Sequence, residues 1–337
     1  MNILVTGGYG FIGSNLIKEI IRTTSHSVLN IDCLTYASNL ESLEEVENSS
    51  RYTFKKLDIC DEHGLTELFD SNNIDCIMHL AAESHVDNSI ENPSAFINTN
   101  ILGTYNLLQI ATKYFNTIDK VNKDRFRFIH ISTDEVFGSL GINDDKFNED
   151  TAYDPSSPYS ASKASSDHLV RAWGRTYNFP FIISNCSNNY GPFQNDEKLI
   201  PQTIHNAINA KNIPIYGDGK QIRDWLFVQD HAKALLKILK DGVVGESYNV
   251  GGSNEKTNLE VVNTICHILD ALIPNKPIEI KSFADLITHV QDRPGHDYRY
   301  AINSSKLNNL GWYADESFES GILKTVNWYI DKNSRIL

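Results

Sequence analysis

Along the first half of the chain, short apolar, β-branched runs alternate with longer stretches whose apolar residues recur every three or four positions. The short runs predict strands at residues 2–6, 27–31 and 52–56. At 75–80 and 126–132 the apolar character is nearly continuous, as in strands covered on both faces of a parallel sheet. Helical spacing runs through residues 11–22, and two long helices are predicted at 93–114 and 160–177. Alternation of this kind means βαβ units, so the expected class is α/β with a Rossmann-type doubly wound parallel sheet. After about residue 186 the texture changes, and turn clusters such as Asn188-Asn189-Tyr190-Gly191-Pro192 and Tyr216-Gly217-Asp218-Gly219 separate shorter elements. A smaller mixed α/β domain is therefore expected over 187–337, following a first domain over 1–186, with some elements returning to the first. The polar stretch 116–124 is expected to be a surface insertion, and the chain has no internal repeat or low-complexity segment.

Composition narrows the class without choosing a function. A chain of 337 residues, 41% apolar and 22% charged, is long enough for a well-buried core and ordinary for a globular protein. Its net charge of −13 argues against a nucleic-acid surface, which needs a basic field. A few local Arg and Lys residues can still hold an anionic small ligand. No apolar run approaches the roughly 20 residues needed to cross a bilayer, and the first residues enter a strand directly, without a leader pattern. Cys33, Cys60, Cys76, Cys186 and Cys266 are odd in number, widely spaced and without a CxxC pair. That usage fits reduced thiols in a cytoplasmic enzyme and gives no metal site.

The turn between the first strand and the first helix reads Thr6-Gly7-Gly8-Tyr9-Gly10-Phe11-Ile12-Gly13. It satisfies both G-x-G-x-x-G (Gly8, Gly10, Gly13) and G-x-x-G-x-x-G (Gly7, Gly10, Gly13). Glycines there permit a tight turn, a close backbone approach to a pyrophosphate and close helix–strand packing. The helix start at Phe11 and Ile12 then offers unpaired N–H groups to the phosphates. Asp32 ends the next strand, where a carboxylate accepts from a ribose 2′-OH and repels a 2′-phosphate, so NAD is expected rather than NADP. Cys33, Leu34 and Thr35 are counted with it as cofactor contacts. Asp58-Ile59 ends a later strand, where open α/β sheets bind ligands, and is expected at the adenine edge. Leu80-Ala81-Ala82 follows the strand at 75–80, and its small residues let a dinucleotide lie close.

The strand at 126–132 runs into Ser132-Thr133-Asp134-Glu135-Val136-Phe137-Gly138, which sets two carboxylates at a buried strand end. Pro158-Tyr159-Ser160-Ala161-Ser162-Lys163 then opens a helix with a Tyr and a Lys one turn apart. A Thr, an Asp, a Glu, a Tyr and a Lys near one cofactor allow redox chemistry and acid/base elimination in a single pocket. Taken singly, the acidic pair is a solvated turn, Tyr-x-x-x-Lys is a chance pattern on an amphipathic helix, and any one Arg is a surface ion pair. Their coincidence beside a glycine loop carries the functional reading.

Tyr159-x-x-x-Lys163 with Thr133, together with the glycine spacing, resembles the extended branch of the short-chain dehydrogenase/reductase superfamily. The likeness runs nearly end to end. Leu80-Ala81-Ala82-Glu83-Ser84-His85-Val86-Asp87, Ser132-Thr133-Asp134-Glu135-Val136, Pro155-Ser156-Ser157-Pro158-Tyr159-Ser160-Ala161-Ser162-Lys163, Arg223-Asp224-Trp225 and Asp292-Arg293-Pro294-Gly295-His296-Asp297 resemble the dTDP-glucose 4,6-dehydratases. The Thr-Asp-Glu triplet discriminates best, since epimerases and decarboxylases of the branch usually lack the Asp-Glu pair. Four positions depart from the family pattern: Tyr9 stands for a small residue, Cys33 for a Lys, Asn88 for an Arg and Phe137 for a Tyr.

The resemblance implies a lyase that borrows and returns a hydride. Tyr159, its phenolate favoured by Lys163 and the nicotinamide charge, takes the proton from the sugar C4 hydroxyl while hydride leaves for NAD, and Thr133 holds that oxygen. Glu135 removes the C5 proton, protonated Asp134 donates to the departing C6 hydroxyl, hydride returns to C6 and Glu135 reprotonates C5. The product is a 4-keto-6-deoxy sugar for deoxysugar synthesis, such as the route to dTDP-rhamnose. Ser84, Asn188, Arg223, Arg293 and Lys198 are implied at the sugar or its diphosphate, and Leu199, Pro214, Ile215, Tyr216, Asn258 and His296 at the nucleotide end. Ser84, Thr99 and Asn189 are implied near the cofactor, while His85 is expected to be an ordinary loop histidine and Tyr300 to pack rather than touch substrate. The two long helices resemble those that pair as a four-helix bundle in family homodimers. The rival readings are the same dehydration on UDP-glucose, a C4 epimerase or reductase, which leaves Asp134 and Glu135 without a task, and a non-catalytic NAD-binding scaffold.

Overall fold

Seven parallel strands run through the centre of the molecule. They are β1 (Asn2–Thr6), β2 (Ser27–Asp32), β3 (Tyr52–Lys56), β4 (Cys76–His79), β5 (Arg127–Thr133), β6 (Phe181–Cys186) and the strand Ser247–Val250. Across the sheet the order is Ser247–Val250, β6, β5, β4, β1, β2, β3, so the chain leaves β1 in one direction and resumes on its other side at β4. Ligands bind such sheets beyond the strand C-termini at this reversal. The computed structural model describes residues 1–276 and 280–334.

Both faces of the sheet are covered, which explains the continuous apolar strands. On one face, Leu16, Ile17 and Ile20 of the helix Phe11–Thr23 pack with Leu235 and Ile238 of the helix Val228–Asp241. On the other, Leu65 and Leu68 of Glu62–Ser71, Leu107 and Leu108 of Thr104–Thr117 and Val170 of Pro158–Tyr177 fill the second core. The helix predicted from residue 160 begins earlier, at Pro158, because Ser157 caps it in a reciprocal pair with Ser160 and Pro sits in its first turn.

The helix predicted over 93–114 is interrupted. Pro93–Phe96 passes into a wide turn at Ile97–Gly103 before the regular helix Thr104–Thr117. That turn carries an inward Asn100, whose side chain accepts from Glu83 N at 2.8 Å and donates to Ser162 Oγ at 2.8 Å. A wide turn inside a helix often marks a functional site, and this one ties the loop after β4 to the Tyr159 helix. Within the stretch 116–124 an Asp119-capped helix begins, Lys120–Arg125, which buries none of its residues.

A third core sits beyond the sheet's C-terminal edge. Ile200 and Ile204 of Leu199–Ile208, Val261 and Ile265 of Asn258–Leu272 and Ile322 of Phe318–Ser334 pack around the parallel strand pair Ile213–Tyr216 and Ile287–Val290. A small sheet of Asn188–Tyr190, Ile222–Phe227 and Glu255–Thr257 joins this core to the large one. The chain then goes back, since Val228–Asp241 packs on the first helix and Ser247–Val250 extends β6.

Candidate active site

The glycine turn forms a backbone cradle. Gly7 has φ +71°, and a Cβ there would lie 2.8 Å from the Ala81 backbone. A Cβ on Gly13 would lie 2.2 Å from the Gly7 carbonyl oxygen. The helix Phe11–Thr23 has no side-chain cap, so its leading N–H groups are left for a ligand. These features fit a pyrophosphate. Asp32 is buried, and its carboxylate accepts from Tyr9 N (2.9 Å), Leu34 N (2.8 Å) and Ser38 Oγ (3.0 Å). Those bonds aim it and leave lone-pair capacity for a hydroxyl.

A cavity of about 270 Å³ extends from this cradle, lined by Gly7, Gly10, Phe11, Ile12, Gly13, Leu80, Ala82 and Ser84 and reaching Thr133, Asp134, Glu135, Tyr159, Lys163 and Asn189. Other expected cofactor residues stand outside it. Ile59 is buried in the core beside Gly103. Ala81 packs on the same core and Leu34 on the other. Asp58 and Thr35 are exposed, accepting from Cys60 N and Ala37 N. Cys33 is half-buried, its thiol pushed up to about 11 by burial and the neighbouring Asp58 and Asp32 carboxylates. Thr99 is half-buried on the wide helical turn.

The catalytic candidates converge where β5 ends. Thr133 is its last residue, and Asp134–Phe137 forms a single tight turn closed by Gly138 at φ +91°. Asp134 is buried, with Oδ2 lacking a partner, and burial and Glu135 raise it well above the carboxylate range, toward the protonated form. Glu135 is also raised by burial, but Arg223 and Lys198 pull it back toward the charged form. Two adjacent carboxyl groups are thereby set toward opposite tasks. Tyr159 stands well above its ordinary phenol value because of burial and Glu135, with a hydrogen bond from Thr133 working against them. Its activation therefore needs cations. Lys163 is one, fully buried and donating to Ile131 O at 2.8 Å, and a nicotinamide ring supplies another.

A second cavity, about 370 Å³, opens from the same point. Ser84, Glu135, Asn188, Asn189 and Lys198 line both cavities, so Glu135 stands at their junction. The second is walled by Leu199, Pro214, Ile215, Tyr216, Arg223, Asn258, Arg293 and His296. Arg223 is buried, donates to Asp297 O (3.0 Å) and lies 4.2 Å from the centre of the Tyr300 ring. Tyr300 also donates to Asp297, so it both packs and lines the wall. Arg293 pairs with Asp87 at 3.1 Å and stacks over Tyr216 at 4.7 Å. Lys198 Nζ donates to Ser84 O at 3.1 Å, and His296 approaches Asp292 at 2.6 Å.

A family model described as GDP-mannose 4,6 dehydratase matches residues 4–325. A dTDP-glucose 4,6-dehydratase of Neisseria gonorrhoeae is 58% identical over 335 residues, covering 99% of this chain and 97% of its own. The chain belongs to the dTDP-glucose 4,6-dehydratase family. A relative of that name from Escherichia coli is 57% identical over 340 residues, with 98% and 94% covered. Among solved structures, the Bacillus anthracis dTDP-glucose 4,6-dehydratase in complex with NAD aligns with TM-score 0.86 at 41% identity, covering 99% and 98%. The Streptomyces venezuelae enzyme with NAD and TYD bound aligns with TM-score 0.89 at 38% identity, covering 99% and 98%.

Within this family site, several residues escaped the sequence reading. Gln194 and Glu197 line both cavities. They follow the Asn188–Pro192 turn cluster in sequence, but nothing in their spacing marks them. His85 lines the substrate cavity, caps Val86–Glu91 and stands 3.9 Å from Glu197, so it is no ordinary loop histidine. Among the described residues, no His, Cys, Asp or Glu group is arranged to hold a metal.

Proposed function

We propose that this protein dehydrates dTDP-glucose to dTDP-4-keto-6-deoxyglucose with NAD as a cofactor regenerated in each turnover. The carrying observation is the junction of the two cavities, where burial pushes Asp134 toward its protonated form beside a Glu135 flanked by cations. An epimerase or reductase has no use for that pair. Bound in the glycine cradle, NAD supplies the hydride acceptor at sugar C4 and the donor at C6. Tyr159 takes the C4 hydroxyl proton, with Thr133 holding the same oxygen and Lys163 favouring the phenolate. The C4 ketone acidifies C5, Glu135 removes that proton, and Asp134 donates to the C6 hydroxyl, which leaves as water. Glu135 then returns its proton to C5. Arg223, Arg293 and Lys198 hold the diphosphate by charge-assisted hydrogen bonds, and the Pro214–Tyr216 wall with Asn258 and His296 holds the base.

The test is the mass spectrum of dTDP-glucose and, separately, UDP-glucose after incubation with the purified protein. Loss of one water from dTDP-glucose alone supports the assignment. Loss from UDP-glucose instead moves the base specificity, and loss from neither, with NAD supplied, overturns the roles of Asp134 and Glu135.

The working unit we propose is a homodimer built on the two long helices as a four-helix bundle. Ile97, Leu102 and Tyr105 on one helix and Tyr177 on the other are exposed, and Tyr105 stacks edge-on against Trp173 between them. An exposed apolar patch of this kind marks an interaction surface. No helix among the described residues is long and apolar enough to cross a membrane, and the five unpaired cysteines fit a cytoplasmic setting.

A further inference from the structure

Two parts of the chain far apart in sequence form the wall of the second cavity, and one carboxylate ties them together. Asp87 lies in the first turn of the short helix Val86–Glu91, which packs on the helix carrying Tyr159 and Lys163. From the other side come Tyr216, at the end of the strand Ile213–Tyr216, and Arg293, in the loop after Ile287–Val290. Arg293 Nε lies 3.1 Å from Asp87 Oδ1, and its Nη2 donates to Oδ2 at 3.3 Å. The carboxylate thus takes one edge of the guanidinium with both oxygens. Tyr216 OH makes a longer contact with the same Oδ2, at 3.4 Å, and the guanidinium lies 4.7 Å from the centre of the Tyr216 ring. Asp87, Tyr216 and Arg293 all line the cavity, beside Lys198 and Arg223.

A long arginine side chain loses much rotamer freedom when a ligand fixes it. Here the tip is fixed before any ligand arrives, by a carboxylate on one edge and an aromatic ring on one face. Preorganisation of this kind strengthens binding by removing an ordering cost. The base of the side chain is tied as well, since Asp292 accepts from Arg293 N at 2.9 Å and from Gln221 Nε2 at 2.9 Å. The Nη1 end of the guanidinium meets no acceptor among the described residues, so its N–H groups remain for a phosphate oxygen. Lys198 and Arg223 are held differently, each donating to a backbone carbonyl, Ser84 O at 3.1 Å and Asp297 O at 3.0 Å. Of these three cations, Arg293 alone is paired with a carboxylate among the described residues. Whatever Asp87 does for a ligand in this cavity, it does through Arg293.

We propose that Asp87 is a positioning residue for the nucleotide-sugar: it grips Arg293 by one edge and so presents the free N–H groups of the guanidinium to the substrate's diphosphate. This rests on the reading of the second cavity as the nucleotide-sugar site. Without the carboxylate, the arginine tip is free to swing on its loop, and binding must then order it. Charge alone gives the opposite expectation, since a carboxylate near a diphosphate repels it. The sign of the Asp87 effect therefore decides between the two.

The experiment is a double-mutant cycle on the NAD-loaded protein, with the Kd for dTDP measured by calorimetry in the wild type, Asp87→Ala, Arg293→Ala and the double variant. Asp87→Ala is expected to weaken dTDP binding by roughly three- to thirtyfold, within the range of coupling found between residues in contact. The KM for dTDP-glucose should rise by a similar factor, with a smaller effect on kcat. In the Arg293→Ala background, Asp87→Ala is expected to weaken binding no further. Tighter binding of dTDP by Asp87→Ala would mean that the carboxylate masks Arg293, and would overturn the proposal. An unchanged Kd, or the same loss with and without Arg293, would overturn it too, the latter by showing a general structural role. Where Asp87→Ala does not fold, Asp87→Asn keeps the shape, removes the charge and is read by the same outcomes. Wild-type protein that binds no dTDP overturns the nucleotide-sugar reading instead, and wild-type protein that binds dTDP but leaves dTDP-glucose intact overturns the dehydratase reading alone.

Discussion

At the scale of single residues, the site divides its tasks by environment rather than by residue type. Asp134 and Glu135 are neighbours, but one is sealed from solvent and the other faces Arg223 and Lys198. Asp134→Asn and Glu135→Gln are each expected to cut kcat for water loss by roughly 10²–10⁴-fold, the usual worth of a positioned acid or base. Both should still oxidise C4, so reduced nicotinamide would accumulate without loss of water in the mass spectrum. Tyr159→Phe should lose a similar factor and show no reduced nicotinamide. Arg293→Ala should raise KM roughly ten- to hundredfold with a smaller effect on kcat, as expected for a charge-assisted hydrogen bond; a titration of initial rate against dTDP-glucose measures it. At this scale much was legible. Thr133, Asp134 and Glu135 are consecutive, and Tyr159 and Lys163 are one turn apart, so local order carried them. Gln194 and Glu197 were not legible, because they reach both cavities only through the path of the loop that carries them, which no local spacing records.

At the scale of elements, the glycine turn leaves no room for an added atom at Gly7 or Gly13. Gly13→Ala places its Cβ against the Gly7 carbonyl oxygen, and the resulting overpacking is expected to cost about 1–3 kcal/mol. The protein should then fail to retain NAD through gel filtration while keeping its circular dichroism. The two long helices carry the dimer prediction. Leu102→Glu puts a charge in the exposed apolar face, and sedimentation velocity is expected to show a dimer for the wild type and a monomer for the variant. Most elements followed from apolar periodicity, since strands covered on both faces and amphipathic helices write their burial into the sequence. The wide turn Ile97–Gly103 did not, because its cause is tertiary: Asn100 is turned inward to Glu83 and Ser162, far along the chain.

At the scale of the whole molecule, burial of neutral histidines fixes the acid side of stability. Burial lowers His79, His130 and His231, the last to about 3. In the unfolded chain each takes up a proton near pH 6.5. The folded state refuses those protons, so stability is complete above about 6.5 and falls as pH drops below it. The slope is about 1.4 kcal/mol per pH unit for each histidine. Thermal melts between pH 7.5 and 5 should show Tm declining from about pH 6.5. His231→Gln should flatten the decline, and an unchanged slope would show that this histidine is not the source. The same scale brings the lobes together at Arg293 and Asp87, residues 206 positions apart.

The sequence by itself determined the strand and helix periods, the glycine turn with its acidic strand end at Asp32, and the Thr-Asp-Glu and Tyr-x-x-x-Lys sets. All of these are encoded within one or two turns of chain, where spacing alone fixes which side chains meet. Only the tertiary structure decided charge. Asp134 is pushed up and His130 down because groups from several separate elements close over them and remove water. Desolvation depends on everything that packs around a group, and no local pattern in the chain records that sum.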